Sequence, residues 1–361
     1  MAFIGKKPVD VIDATTAQTL TIEENIVTPS INSSQIGGRR NLIINGGMQV
    51  AQYGTSVSAK TDANKIHTVD RWRLEASGAT YDVEQSSDTP NGFLKSQKVT
   101  LDGAFTPTAS QYFIPFEQRI EAQNIAHLAY GTSDAKSVTL SFWIKSNKTG
   151  TYVVEFRNSD GGKQWPQTYT IDAADTWEKK TLTWTGDTAS GTEIAVDTGQ
   201  GGAFFWWMTA GTTYTSGTLP TGWEANTNAN RAVGVPSSLA DNDEFYLTGV
   251  QLEVGSTATE FEHLSYAEEL ALCQRYFVKL NTYSIGYTAS GNISYGGRVS
   301  FPQTMRASPS FANGTYTPQS GNAGTVGNVT VSNQMTHWYN VSNNWSTGVH
   351  IGLTVELSAE L

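Results

Sequence analysis

The stretch SVTLSFWIKS, residues 137–146, alternates apolar and polar side chains, and that period of two commits it to a strand with one covered face. Val138, Leu140, Phe142 and Ile144 fall on one side, and Thr139, Ser141, Trp143 and Lys145 on the other. The same spacing groups Tyr152, Val154 and Phe156 in GTYVVEFRN. LKSQKVTL, QTYTID, EKKTLTWTG and EFYLTGVQLEV repeat the theme, separated by turn chemistry such as Asn45-Gly46, Asn91-Gly92, Asp102-Gly103 and Asp160-Gly161. Many short alternating strands across residues 41–262 predict a mainly β chain whose body is a jelly-roll β-sandwich, not a βαβ fold. A short helical turn is expected within QRIEAQNIAHLAYG.

One segment breaks the pattern. In HLSYAEELALCQRYFVKL, residues 263–280, Tyr266, Leu270, Cys273, Phe277 and Leu280 recur at 4-3-4-3 spacing, which predicts a helix with a two-heptad apolar seam. Such a seam needs another copy of itself or a sheet face to cover it, and the first option means a symmetric oligomer. The helix separates the body from residues 281–361, a smaller β domain rich in Gly and Asn, read as a distal β-sandwich tip. Its core is thin for an independent unit, so trimeric packing is expected to complete it, with Leu361 at that interface. Residues 1–40 alternate over stretches too short to bury a face and read as an extended arm ordered by a partner.

Charged residues are 16% of the chain, against about 25% in an average soluble protein. A surface solvated by hydroxyls and amides suits a particle exposed to the outside or a binder of polyhydroxy ligands more than a metabolic enzyme. Net charge is -10, which removes the counterion-release attraction for nucleic acid. The single Cys273 forms no intrachain disulfide and no thiolate cluster. No secretory leader pattern and no run of about eighteen apolar residues occurs, so neither signal-peptide export nor membrane insertion is expected.

NLIINGGMQV, VDRWRL, TLSFWIKSNKTGTYVVEFRN, TWEKKTLTWTGDT, FYLTGVQLEVGSTATEFEHLSYAEELALCQRYF and FPQTMRASPSF follow in order. Together, over about residues 41–310, they resemble the receptor-binding tail fibre proteins of marine and other environmental bacteriophages; AFIGKKP resembles their virion-attachment start. The resemblance implies a carbohydrate-binding-module-like jelly roll in a homotrimeric fibre on the virion. Residues 1–40 would then dock to a phage tail or baseplate protein, and the fibre would adhere to host-surface polysaccharide. Those modules often place an acidic calcium ligand in the last strand. This chain has Thr248 there, so no calcium is carried over. The run Asp241 to Glu244 reads as a solvated acidic turn.

A sugar platform needs a flat aromatic face for the C–H side of the ring and planar polar groups for its hydroxyls. Two segments offer the mixture. THWYNVSNNW, taken as an exposed loop, contributes His337, Trp338, Tyr339, Asn343 and Trp345 as candidate glycan contacts, with burial along a trimer axis as the competing reading. GGAFFWWMTAGTTYTSGTLPTGW contributes Trp207 and Trp223; adjacent Trp206 and Trp207 must face opposite ways in a strand, one to the core and one outward. Trp165 is a third candidate.

Catalysis has little support. The five histidines have no metal-ligand spacing, and there is no G-x-S-x-G elbow. Asp172, Asp175 and Glu178 read as turn and strand edge, Gly199 to Gly202 as a turn, and Asp70-Arg71-Trp72 and Glu117-Gln118-Arg119 as structural ion pairing. A non-catalytic adhesin with no cofactor and no metal is therefore expected. A capsid or baseplate fibre, or a polysaccharide depolymerase, is the alternative.

Overall fold

The computed structural model describes residues 39–61, 64–286, 293–318, 326–331, 335–342 and 349–361, plus short strands at 30–31 and 34–35. Within 281–299 and 311–355 it describes the backbone alone. Most of the arm, and with it the expected virion contact, lies outside the described residues.

The body is a sandwich of two antiparallel sheets. Its strands are β1 (Ser56–Lys60), β2 (Arg73–Ser77), β3 (Tyr81–Ser86), β4 (Ser96–Leu101), β5 (Tyr112–Glu121), β6 (Val138–Ser146), β7 (Gly150–Asn158), β8 (Lys163–Ile171), β9 (Glu178–Trp184), β10 (Gln200–Trp207) and β11 (Glu244–Val254). One sheet runs β5-β10-β7-β8, with β2 joined to β5 and a two-residue strand at each end; the other runs β9-β6-β11-β4-β3-β1. The expected jelly-roll sandwich is thus present. The helical turn follows β5 as Ala122–Ile125 and Ala126–Leu128.

The period-two reading fixes which side chains meet between the sheets. Val138, Leu140, Phe142 and Ile144 are fully buried there, as are Tyr152, Val154 and Phe156 from the facing sheet. Each large apolar side chain so covered contributes about 1.5–3 kcal/mol. Gly201 and Gly202 lie in β10, not in a turn. A Cβ at Gly201 would stand 2.5 Å from Ala122 Cα, so only glycine lets the helical turn pack against this strand.

Trp206 and Trp207 do face opposite ways, yet neither reaches solvent. Trp206 enters the inter-sheet core and Trp207 a second buried cluster on the outer face of the first sheet, with Ala210, Ala232, Tyr112 and Tyr214. The segment after β10 folds back over that face and covers the ring. Trp207 Nε1 donates to Glu155 Oε2 at 2.9 Å, and Arg231 lies 4.6 Å from the ring centroid.

The expected long helix is short. It spans Tyr266–Gln274, starting at a reciprocal capping box in which the Ser265 hydroxyl accepts from Glu268 N while the Glu268 carboxylate accepts from Ser265 N. Phe277 and Leu280 instead belong to β12 (Phe277–Gly286). Cys273 and Phe277 are fully buried against this chain's own body, Cys273 beside Ile44, Val50 and Tyr276 and Phe277 stacked on Tyr53, so they form no seam for sister chains. Tyr266 is 54% exposed. Leu361 packs in the Cys273 cluster, and its carbonyl accepts from Arg119 at 2.9 Å, an intrachain contact in place of the expected interface.

The tip consists of β12, β13 (Ile293–Ser300), β14 (Ser310–Pro318), β15 (Val326–Val331), β16 (Met335–Ser342) and β17 (Val349–Ser358), in two three-stranded sheets, β12-β17-β14 and β13-β16-β15. Polar contacts tie it to the body. Arg71 pairs with Glu360 and Arg306 donates to Thr198 O at 2.8 Å, while Arg275, at the end of the connecting helix, meets Glu121 through Nε at 2.9 Å. Both arginines expected to serve structural ion pairs do so: Arg119 pairs with Glu117 and Glu75, and Arg71 with Glu360, not with its neighbour Asp70.

Asp70 sits at this junction, fully buried, accepting from Gln52 N at 2.6 Å while Gln52 Nε2 also reaches Phe277 O at 3.1 Å. Burial pushes its carboxyl up to about 7. A carboxyl raised on folding favours the protonated native state, so its stabilising contribution is complete below about pH 4 and is lost as pH rises through about 7. Asp70→Asn is expected to flatten the fall in thermal midpoint between pH 5 and pH 8. An identical fall in both proteins would remove Asp70 as its source.

Candidate functional site

On the outer face of the second sheet lies a cleft of about 260 Å³. Its floor is the polar side of β6, where Trp143 and Ser141 point away from the core. Two loops wall it. Residues 87–95 bring Phe93, and residues 255–263 bring Phe261 and His263. The three rings form one edge-packed group, with centroids 5.0 Å apart for Phe93 and Phe261 and 4.9 Å for Phe261 and His263. Asn91, Lys179 and Glu260 stand exposed around the rim.

A bulge builds the floor. The β11–β6 register slips between Thr248 and Gln251, and Gly249 within it has φ +60°. A Cβ at Gly249 would lie 2.6 Å from the Phe93 ring and 2.9 Å from Trp143 Cδ1, so the missing side chain is the space the two rings share. Gly249→Ala combines that clash with left-handed backbone. It is expected to cost about 1–3 kcal/mol and to weaken ligand binding by displacing Phe93, read by thermal unfolding and titration together.

Hydrogen bonds hold both walls. Thr248 Oγ1 donates to Lys95 O at 2.7 Å, and Ser96 Oγ to Asp88 O at 2.6 Å. Thr248, read as the missing calcium ligand, is thus a loop anchor. For the other wall, Gln251 bonds Glu260 O at 3.1 Å and Glu262 N at 2.7 Å, and Glu253 accepts from Thr259 N at 2.9 Å. Glu262 in turn accepts from Asn41 N at 2.8 Å. Buried polar side chains of β11 therefore fix backbone, leaving the exposed rim groups for a ligand.

Nearby, Asp88 bridges Lys145 and Trp177, accepting from Trp177 Nε1 at 2.9 Å. Desolvation raises its carboxyl, but the hydrogen bonds from Lys145 and Trp177 outweigh this and hold it below the usual carboxylate range. Among the described residues no three of His, Cys, Asp and Glu gather to hold a metal ion. Asp243 accepts from Ala240 N at 2.7 Å and pairs with Lys148 at 3.2 Å, and Asp241 accepts from Gly103 N at 2.8 Å. Glu178 accepts from Asp172 N at 2.9 Å, a turn brace as expected.

The residues singled out from sequence lie elsewhere. Trp207 is buried. Trp223 is half-buried, donating to Thr185 O at 2.7 Å and packing edge-on to Phe156 and Tyr130; half-buried Trp165 is 5.9 Å from it. His337, Trp338 and Tyr339 lie in β16, paired to β13 and β15, where a loop was expected; Tyr339, Asn340, Val341 and Ser342 alternate apolar and polar residues as a strand does. Their side chains, and all of Asn343 and Trp345, lie outside the described residues. Trp143 was passed over although its signal was plain, an indole on the polar face of an alternating strand.

No family model matches the chain, and no curated protein matches it. Solved structures similar to it include TmCBM61 in complex with β-1,4-galactotriose, at 12% identity and TM-score 0.32 over 60% of this chain and 99% of that one. A bacteriophage CBA120 tailspike domain matches at 16% identity and TM-score 0.30 over 59% of this chain, which spans 21% of the tailspike chain. A family 11 carbohydrate-binding module of a Clostridium thermocellum cellulase matches at 13% identity and TM-score 0.28, over 56% of this chain and 98% of that one. At these scores the likenesses stand beside the sandwich and carry nothing about its ligand. Among the described residues no helix is long and apolar enough to cross a membrane.

Proposed function

We propose that the protein binds a glycan in the cleft, one sugar ring lying on Trp143, and that it does so without turning its ligand over. The observation that carries this reading is Trp143, an aromatic face on a polar strand face, surrounded by exposed Asn91, Lys179 and Glu260. The indole takes the C–H side of a pyranose, and the amide, ammonium and carboxylate pair its hydroxyls.

In the setting that the sequence resemblance implies, the chain is a homotrimeric phage tail-fibre adhesin, attaching the virion to host-surface polysaccharide and docking through residues 1–40. Three weak sites on one fibre, and several fibres per particle, gain avidity without any new contact.

Affinity electrophoresis in gels holding soluble bacterial polysaccharides tests the binding claim. Retarded migration without release of reducing ends is expected, and release of reducing ends would mean a depolymerase. Light scattering near three times 39.1 kDa supports the trimer; a 39.1 kDa particle would overturn the trimer and leave the cleft untouched.

A further inference from the structure

Resting on that reading of the cleft, we infer that the binding face continues along the open edge of the second sheet onto Trp177, so that the ligand is a linear polysaccharide gripped along its length. β9 is the edge strand, paired within its sheet to β6 alone. The register sets Glu178 opposite Ile144 and Lys179 opposite Trp143. Trp177, one residue before β9, therefore falls opposite Lys145 on the face that carries Trp143. The Lys145 ammonium lies 5.8 Å from its ring centroid. Trp143 and Trp177 are thus diagonal neighbours, one strand across and two residues along, about 7–8 Å apart, a step that one glycan chain bridges.

Trp177 is held without being core. It is half-buried and belongs to none of the buried apolar clusters among the described residues. Its Nε1 is fixed by Asp88 at 2.9 Å, and Tyr246 meets it edge-on with centroids 6.1 Å apart. An indole braced by a surface carboxylate is set in orientation before any ligand arrives. Exposed Lys179 stands between the two indoles and serves hydroxyls or acidic substituents of either ring.

The test titrates the full-length protein, Trp177→Ala and Trp177→Phe with cello-, xylo- and galacto-oligosaccharides of one to six units. For a ladder that binds, affinity is expected to rise about tenfold from one unit to three. Trp177→Ala should lose roughly three- to tenfold for three units and longer while staying within twofold for one. Trp177→Phe, which keeps a flat ring, should retain most of the gain. Equal affinity for one unit and three, or an equal loss at every length, overturns the extension and leaves the cleft. No binding by the unmodified protein to any ladder overturns the cleft reading itself, and the extension with it.

Discussion

Trp143→Ala is expected to lower glycan affinity by about thirty-fold or more, the scale of an aromatic hot spot at the centre of a contact, while leaving the fold intact. The two effects separate because Trp143 lies on the polar face of β6, whereas Phe142 and Ile144 on either side of it fill the inter-sheet core. Removing the indole leaves Phe93 and the Gly249 bulge in place but takes away the flat surface a sugar ring would cover. The check is one titration and one thermal melt on the same preparation. Retained affinity with an unchanged melting point would show that the sugar sits elsewhere.

Glu155→Ala is expected to destabilise the body by about 3–5 kcal/mol, the range for breaking a buried ion pair from one side. Glu155 is fully buried on the outer face of the first sheet. Its carboxylate takes Arg231 Nε at 3.0 Å, Arg157 at 3.1 Å and Trp207 Nε1 at 2.9 Å, so the change strands a guanidinium and an indole N–H together. Arg231 is one of the ties on the segment covering Trp207, lying over Trp207, Phe205 and Tyr214, beside backbone bonds such as Gly211 N to Gln111 O at 2.9 Å. Loosening it should expose Trp207, red-shifting its fluorescence, and lower the denaturant midpoint. A loss below about 1 kcal/mol would mean that apolar packing alone keeps this face covered. Glycan binding on the opposite sheet should persist under native conditions.

The strands and their inward faces were legible because one period repeats without interruption in β6 and β7. The same alternation already turned Trp143 outward. The cleft around it was not legible, since its walls arrive from residues 87–95 and 255–263, and nothing local says that Gln251 and Glu253 hold backbone remote in sequence. The bulge at Gly249 was hidden as well, because a glycine in a strand-like run is only one possible slip among many. Trp207 misled for the opposite reason. Its outward direction was inferred correctly, but a covering segment can bury an outward side chain, and its length in sequence resembled a flexible loop.

The helix illustrates an ambiguity of spacing. Positions 266, 270 and 273 follow a helical face, and 277 and 280 continue the count, yet Tyr276, Phe277 and Val278 are residues that favour a pleated surface. Pairing of Phe277–Gly286 with Val349–Ser358, remote in sequence, decided the outcome. Cys273 and Phe277, the middle of the seam that suggested sister chains, are spent on this chain's own body, while Tyr266 stays exposed.

The most direct test of the cleft is hydrogen–deuterium exchange of the full-length protein with and without a glycan that it retains on affinity gels. Protection is expected at 91–93, 141–143, 177–181 and 260–263, with residues 205–223 and 336–345 unchanged. Protection confined to 336–345 or to 205–223, with the Trp143 strand unaffected, would contradict it.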